Sequence, residues 1–200
     1  MPATNTDVLD VLIVGAGLSG IDTAYRLTER NPGLTYTIVE QRDQIGGTWD
    51  LFRYPGVRSD SDIFTLSFPW YPWKGTRTTA LGHEIREYLQ DTASHFGFDK
   101  HIDFGVTVVS ADFDTSTDVW TVTTQVDGQE REYRARFLYV CAGYYRYDRG
   151  HAPTFPDQGR FEGRIVHPQH WPEDLDYKGK QVVIIGSGAT AVTLMPAMAP

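Results

Sequence analysis

The sequence predicts an α/β fold: a parallel sheet extended by an antiparallel meander, followed by the start of a second α/β unit. Three observations carry this. An apolar run, Val8–Val14, leads into Gly15-Ala16-Gly17-Leu18-Ser19-Gly20 and then a helix-like stretch. The same order recurs late in the chain, where Gln181–Ile185 leads into Gly186-Ser187-Gly188-Ala189-Thr190-Ala191. Between them lie three strand-like runs, the last two joined through Asp127-Gly128.

Val8–Val14 is short and nearly continuous in apolar residues, the pattern of a buried parallel strand. From Leu18 to Arg30 a helix is expected, with Ile21, Ala24, Tyr25, Leu27 and Thr28 near one face, and Asn31-Pro32-Gly33 ends it. Tyr36–Glu40 is the second strand, and a right-handed crossover makes it parallel to the first. Residues 41–79 are loop-rich in Gly, Pro and aromatics, and a long irregular stretch inside a compact domain is usually functional. Leu81–Phe96 reads as a helix buried along Ile85, Tyr88/Leu89, Thr92/Ala93 and Phe96. Phe104–Phe113, Asp118–Val126 and Glu130–Tyr139 read as strands, with a tight hairpin at Asp127-Gly128. Residues 144–169 read as a linker. A strand at Gln181–Ile185 and a further helix complete the pattern. The domain boundaries expected are 1–145, 146–179 for the linker, and 180–200. One strand and a broken helix cannot cover a sheet, so the chain is expected to be the N-terminal portion of a longer protein.

Composition narrows the function classes. The formal charge is −8, against a phosphate-backbone binder, so no nucleic-acid partner is expected. Cys141 is the only cysteine, which favours a reducing, cytoplasmic location and removes the paired thiols of a flavin disulfide reductase. Cys141 itself reads as a small buried residue. The first residues lack the basic and apolar regions of a signal peptide, and no apolar run reaches membrane-spanning length.

In Gly15-x-Gly17-x-x-Gly20 the first glycine permits the tight turn, the second lets a pyrophosphate approach the backbone, and the third lets helix and sheet pack closely. The helix N-terminus then offers free N–H groups and a favourable dipole to an anion. Glu40 stands at the end of the second strand, where an acid accepts hydrogen bonds from ribose hydroxyls and repels a 2′-phosphate. The first turn therefore suits FAD or NAD. Gly46-Gly47-Thr48-Trp49 adds permissive glycines, a hydroxyl and a flat ring beside this acid. Arg53-Tyr54-Pro55-Gly56-Val57-Arg58-Ser59-Asp60 reads equally as a polar site on a stiff support or as a solvated turn with an ion pair. The aromatic run Phe68–Trp73 reads as packing of a long loop, with a wall near a flavin as the alternative. The second turn has Ala191 in place of its third glycine, a variant the motif allows. His167 and His170 have Pro168 between them and no third ligand nearby, so no metal is expected.

Phe161-x-Gly163-x-x-x-His167-x-x-x-Trp171-Pro172 precedes the second turn. Together with both glycine turns, Gly46–Trp49 and Arg53–Asp60, it resembles the fingerprint of the type I Baeyer–Villiger monooxygenases, a class of FAD-containing, NADPH-dependent flavoproteins. Asp50–Gly56 and His167–Asp174 are most similar to the ethionamide-activating branch. The resemblance runs from Val8 to the end of the chain. It implies FAD contacts at Ser19, Glu40, Gly47, Thr48, Trp49, Asp50, Leu51 and Asp60, and a main-chain contact at Val108. It implies NADP contacts at Arg58, Ser59 and Asp60 and at Gly186, Ser187, Gly188, Ala189, Thr190, Ala191 and Val192. Asp60 matches an active-site aspartate that pairs with a catalytic arginine for which these residues offer no counterpart. His167 matches a linker histidine that helps position the domains.

The implied reaction inserts one oxygen of O2 beside a ketone carbonyl through a C4a-peroxyflavin, giving an ester or lactone, and oxidises sulfides as well. The alternatives are a flavin-dependent N- or S-hydroxylating enzyme, or a non-catalytic FAD/NADP-binding protein if the chain truly ends at Pro200. Substrate identity and oligomeric state are not encoded in these motifs.

Overall fold

The computed structural model describes residues 7–199. Strand β1 (Leu9–Val14) leads into helix α1 (Leu18–Arg30) and strand β2 (Tyr36–Glu40). Two short helices follow, α2 (Thr48–Leu51) and α3 (Ile63–Leu66), and then the long helix α4 (Gly82–Phe96). Strand β3 (Ile102–Phe104) precedes the meander of β4 (Val106–Asp114), β5 (Val119–Val126) and β6 (Gln129–Val140). Helix α5 (Ala189–Met198) opens after the second glycine turn.

The chain divides into two units. One holds the residues up to Gly47 together with Arg86–Gly143; the other holds Thr48–Ile85 and the residues from Tyr144 onward.

The first unit is built on a six-stranded sheet of order β3-β2-β1-β6-β5-β4. β1 pairs parallel with β2 and with β6, and β2 pairs parallel with β3. β4, β5 and β6 pair antiparallel. β6 thus belongs to both halves: its early residues close the meander and its late residues lie beside β1. Twelve residues make this possible, since strands of five or six are usual. The hairpin between β5 and β6 turns on Asp127 and Gly128, both at positive φ, 50° and 75°. That pair of angles matches the right-handed twist of the flanking strands.

Leu12, Val39, Val106, Val122, Tyr133 and Ala135 form the core of the sheet, and Val108, Trp120 and Leu138 pack against it. Gly20, Ile21 and Ala24 are the buried positions of α1, near the face expected from the sequence. On α4, Ile85, Leu89, Thr92 and Ala93 are buried, while Phe96 is partly exposed and stacks with Phe98. Tyr133 donates to Asp103 at 2.6 Å, tying β6 to β3, and burial with this carboxylate raises its phenol pKa.

β3 was not expected: three residues carry too little pattern to separate strand from loop. The expected strand at Gln181–Ile185 is not formed. These residues are irregular, with Val183 83% and Ile185 72% exposed. A parallel strand needs a neighbour for its N–H and C=O groups, and the second unit supplies none among the described residues. Residues 144–167 are irregular apart from a single 3-10 turn at Gln158–Arg160.

Two outcomes follow from this packing. Leu12→Ala leaves a cavity against Val39 and Val122 and is expected to cost about 2–5 kcal/mol in a urea unfolding titration. Burial pushes the Cys141 thiol above its ordinary pKa, against the Thr23 hydroxyl that lowers it. The reactive thiolate is therefore scarcer at neutral pH, and iodoacetamide should alkylate the folded chain more slowly than the urea-unfolded chain at the same pH.

Candidate functional site

The first glycine turn is held from three sides within its unit. Gly15 has φ 104°, and a Cβ there would lie 2.5 Å from the Cys141 carbonyl oxygen. A Cβ on Gly20 would lie 1.9 Å from the Gly15 carbonyl oxygen. Gly17 has only Gly47 near its Cβ direction, at 3.4 Å. Gly15 N–H donates to Val39 and Cys141 N–H donates to Val14, each at 2.8 Å, which joins the ends of β1, β2 and β6. Gly46 N–H donates to the Ala16 carbonyl at 3.2 Å, so the second glycine pair is laid along the first turn. Gly46 and Gly47 have φ of 152° and 55°.

Glu40 is buried, and both carboxylate oxygens accept backbone protons. Oε2 accepts from Ala16 N–H at 2.7 Å and Oε1 from Arg42 N–H at 2.9 Å. The acid therefore does more than the ribose contact expected of it: it fixes the glycine turn. Each oxygen keeps a second lone pair for a hydroxyl donor. Helix α1 starts at Gly17 with no side-chain cap and no acid in its first turn. Its leading N–H groups thus meet no competing side-chain acceptor, and Ser19 is exposed beside them. This donor set fits a pyrophosphate. Val108, on β4, packs on the cluster that contains Leu12 and Val39, and the register shifts between Val108 and Ser110. Such a bulge leaves main-chain groups out of the ladder.

In the second unit α2 carries Thr48, Trp49, Asp50 and Leu51. Asp50 is fully buried and paired with Arg53, whose Nε also donates to the Asp50 carbonyl at 2.8 Å. This clamp settles part of the question left by the sequence: Arg53 belongs to an ion pair. Arg58 and Asp60 are exposed, whereas Ser59 is buried between them. Ser59 N–H donates to Ala80 at 2.9 Å, and Ala80 N–H donates back to Ser59 Oγ at 3.1 Å. Tyr145 lies near Asp60. A hydrogen bond with Tyr144, burial and the Asp60 and Tyr54 oxygens push its phenol to about 12. The aromatic run packs as a loop: Phe68 stacks on Trp70 at 4.5 Å, and Trp73 packs against Ile63, Ala80 and Ile85.

The linker residues take distinct places. Phe161 is exposed and its ring covers Gly163, where a Cβ would meet it at 2.5 Å. The Phe-x-Gly spacing thus gives the ring a flat seat. His167 Nδ1 accepts from Gln169 N–H at 3.2 Å, which helps fix the orientation of the ring. The ring lies on Gly150, where a Cβ would be 2.0 Å from Cε1. Gln169 is buried and its amide donates to the Arg146 carbonyl. Trp171 joins an apolar cluster with Leu51, Phe52, Tyr54 and Leu194. One cluster therefore gathers α2, the Arg53–Asp60 loop, the linker and α5. The sequence places Tyr54, Gly56 and Gln169 inside its motifs but gives no sign of their distant partners, and it gives no sign at all of Gly150 beneath His167.

Gly186 has φ 138°, and neither it nor Gly188 has an atom within 4 Å of its Cβ direction. Helix α5 begins at Gly188, again with no side-chain cap and no acid in its first turn. Val192 is exposed, Thr190 and Ala191 half-buried. The two turns share one design, and the second is the more open. Among the described residues no group of three His, Cys, Asp or Glu could hold a metal, and no helix is long and apolar enough to cross a membrane.

Comparison with known proteins gives a consistent picture. Residues 9–198 match the family described as flavin-binding monooxygenase-like. The FAD-containing monooxygenase EthA of Mycolicibacterium smegmatis is 53% identical over 193 residues, 96% of this chain and 39% of that protein. The putative FAD-containing monooxygenase MymA of Mycobacterium tuberculosis is 55% identical over 192 residues, 95% of this chain and 39% of its own. Among solved structures, an oxidized steroid monooxygenase bound to NADP superposes with TM-score 0.83 at 35% identity, covering 96% of this chain and 37% of that one. Cyclohexanone monooxygenase from Rhodococcus sp. Phi1 bound to NADP+ gives 0.79 at 33% identity, covering 96% and 36%. The chain spans about two-fifths of the length of these relatives.

The clamps make two predictions. Glu40→Gln puts an amide donor against either Ala16 N–H or Arg42 N–H and should cost about 1–3 kcal/mol in chemical denaturation. Gly150→Ala should displace the His167 ring and move its imidazole NMR signals, at a cost of about 1–3 kcal/mol. Gly159→Ala, whose added methyl meets nothing within 4 Å, is the silent control.

Proposed function

The chain belongs to the flavin-binding monooxygenase-like family, and we propose that its whole protein is an FAD- and NADPH-dependent Baeyer–Villiger monooxygenase acting on small ketones. The observation that carries this reading is the pair of uncapped, glycine-opened helix N-termini with the Phe161–Pro172 fingerprint between them. Two such termini suit two pyrophosphates, and electron transfer between two dinucleotides needs both. The fingerprint, complete to Trp171-Pro172, favours ketone oxygenation over the broader N- and S-oxidising chemistry of the family.

Bound FAD, reduced by hydride from NADPH, would supply the electrons that activate O2. The residues of this chain bind and orient. Gly15, Gly17, Ser19 and Gly20 hold the FAD pyrophosphate on the first turn of α1. Glu40 keeps that turn in place and offers its remaining lone pairs to the ribose. Gly47, Thr48, Trp49, Asp50 and Leu51 would add contacts to FAD, with Asp50 held by its ion pair with Arg53. Val108 offers main-chain groups to the adenine. Gly186–Val192 take the NADPH pyrophosphate, with Arg58 and Ser59 towards its nicotinamide end. Asp60, exposed in the second unit, is the catalytic carboxylate of this set and would pair with a cationic residue supplied by the rest of the protein. His167, seated on Gly150, positions the linker.

A ketone reacts as an electrophile at its carbonyl carbon, whereas a sulfide is a soft nucleophile and would be oxidised on sulfur by the same site. The test uses the gene's full product with NADPH, 18O2, a cyclic ketone and an aryl sulfide. We expect a yellow protein that forms lactone bearing one 18O atom. Sulfoxide without lactone would assign the protein to the N- and S-oxidising class instead. The 200-residue chain alone is expected to bind FAD and to form no lactone, and Glu40→Ala should weaken that FAD binding roughly 10- to 100-fold by loss of two backbone contacts and the ribose contact. Equilibrium dialysis with FAD measures it.

A further inference from the structure

We propose that Tyr54 and Gly56 are positioning residues that fasten the Arg58–Asp60 segment to helix α5, so that a dinucleotide seated on the second glycine turn orders that segment. This rests on the two-dinucleotide reading above and names a connection that the motifs do not.

The connection is a chain of hydroxyl groups. Tyr54 is buried, and its hydroxyl lies 3.2 Å from Thr193 Oγ1, which is also buried. Thr193 Oγ1 is 3.0 Å from the Ala189 carbonyl oxygen, one turn back in α5. A hydroxyl has one proton and two lone pairs. Thr193 spends its proton within the helix, on Ala189 or on Thr190 at 3.2 Å, so Tyr54 must be the donor to Thr193. By the shorter of these two contacts, at 3.0 Å, the relay ends on the carbonyl of Ala189, the first residue of α5 and part of the second glycine fingerprint. That carbonyl shares its peptide group with the Thr190 N–H, in the first turn of the helix. An anion held by the first-turn N–H groups polarises this peptide and makes its oxygen a better acceptor, which strengthens the relay.

Gly56 provides the second fastening. Its φ is 77°, and a Cβ would lie 2.5 Å from the Thr193 carbonyl oxygen and 2.6 Å from Ala197 Cβ. The loop backbone therefore rests directly on α5 with no side chain between. The far end of the segment is also fixed: Gly82 N–H donates to Val57 at 2.8 Å and Ser59 N–H to Ala80 at 2.9 Å. Only four residues separate the Tyr54 hydroxyl anchor from Ser59. A segment this short, pinned to α5 at one end and to residues 80–82 at the other, must respond when α5 becomes more ordered.

Hydrogen–deuterium exchange read by mass spectrometry on the FAD-loaded full protein tests this, with NADP+ as the probe. In the native protein NADP+ is expected to slow exchange in two peptides, 186–194 and 54–60. Tyr54→Phe removes one hydroxyl and keeps the ring in its apolar cluster. It should leave the slowing at 186–194 intact and reduce that at 54–60 about five- to tenfold, the scale of one buried hydrogen bond. Thr193→Val should do the same. Gly56→Ala should abolish the response at 54–60, and Tyr54→Phe decides the matter if that variant fails to fold. Protection of 186–194 without protection of 54–60 in the native protein overturns the connection alone, as does undiminished protection of 54–60 in both hydroxyl variants. Failure of NADP+ to protect 186–194 overturns the two-dinucleotide reading, and the connection with it.

Discussion

Strand β1 must give way to helix α1 within three residues while β2 and β6 end on either side of it, and this crowding governs the first unit. The Gly15 carbonyl oxygen stands where a Cβ of residue 20 would be, and the Cys141 carbonyl stands where a Cβ of residue 15 would be. No side chain larger than hydrogen fits either position without moving backbone. The peptide groups freed by so abrupt a turn need partners, and Glu40 supplies one to Ala16. The carboxylate that suits a ribose is thus also the brace of the turn. A single acid at the end of β2 serves fold and site together, which is why its spacing from the glycines is so informative.

The second unit is organised differently. Its core cluster is assembled from short pieces: α2, the loop at Tyr54, Trp171 of the linker and Leu194 of α5. None of these pieces is long enough to bury a face of its own, since isolated helices of a few residues are not stable in water. The polar contacts are correspondingly specific. Buried Asp50 meets Arg53, buried Gln169 meets the Arg146 carbonyl, and buried Ser59 exchanges hydrogen bonds with Ala80. Removing one member of such a pair leaves the other buried without a partner, which costs more than the pair contributes.

Where local sterics decide, the sequence was readable to the residue. Leu18–Arg30 and Tyr36–Glu40 have the expected bounds because glycine, proline and apolar periodicity punctuate them. Asp127-Gly128 is a turn because few residues accept its backbone angles. The Gln181–Ile185 pattern is equally strand-like, yet periodicity reports what a segment can do and pairing decides what it does. The first glycine turn was legible for the same steric reason. The distant contacts of the second unit were not. Tyr54 and Thr193 are 139 residues apart, and Gly150 seats a histidine seventeen positions later through contacts no spacing rule describes. Nor does any motif mark Gln169, although it sits inside the fingerprint.

The bare backbone at Gly56 has a consequence for directed evolution. Here residue 56 and positions 193 and 197 occupy one shared volume, so the loop and the helix form a single mutational unit. A library that varies residues 53–60 alone samples only sequences compatible with the present Thr193 and Ala197. A larger residue at 56 would meet the Thr193 carbonyl oxygen and Ala197 Cβ and would have to hold a φ of 77°, so it becomes accessible only if the backbone there shifts as well. Recombination breakpoints between residues 56 and 193 would separate partners that were fitted to each other, and chimeras should preserve both sides from one parent.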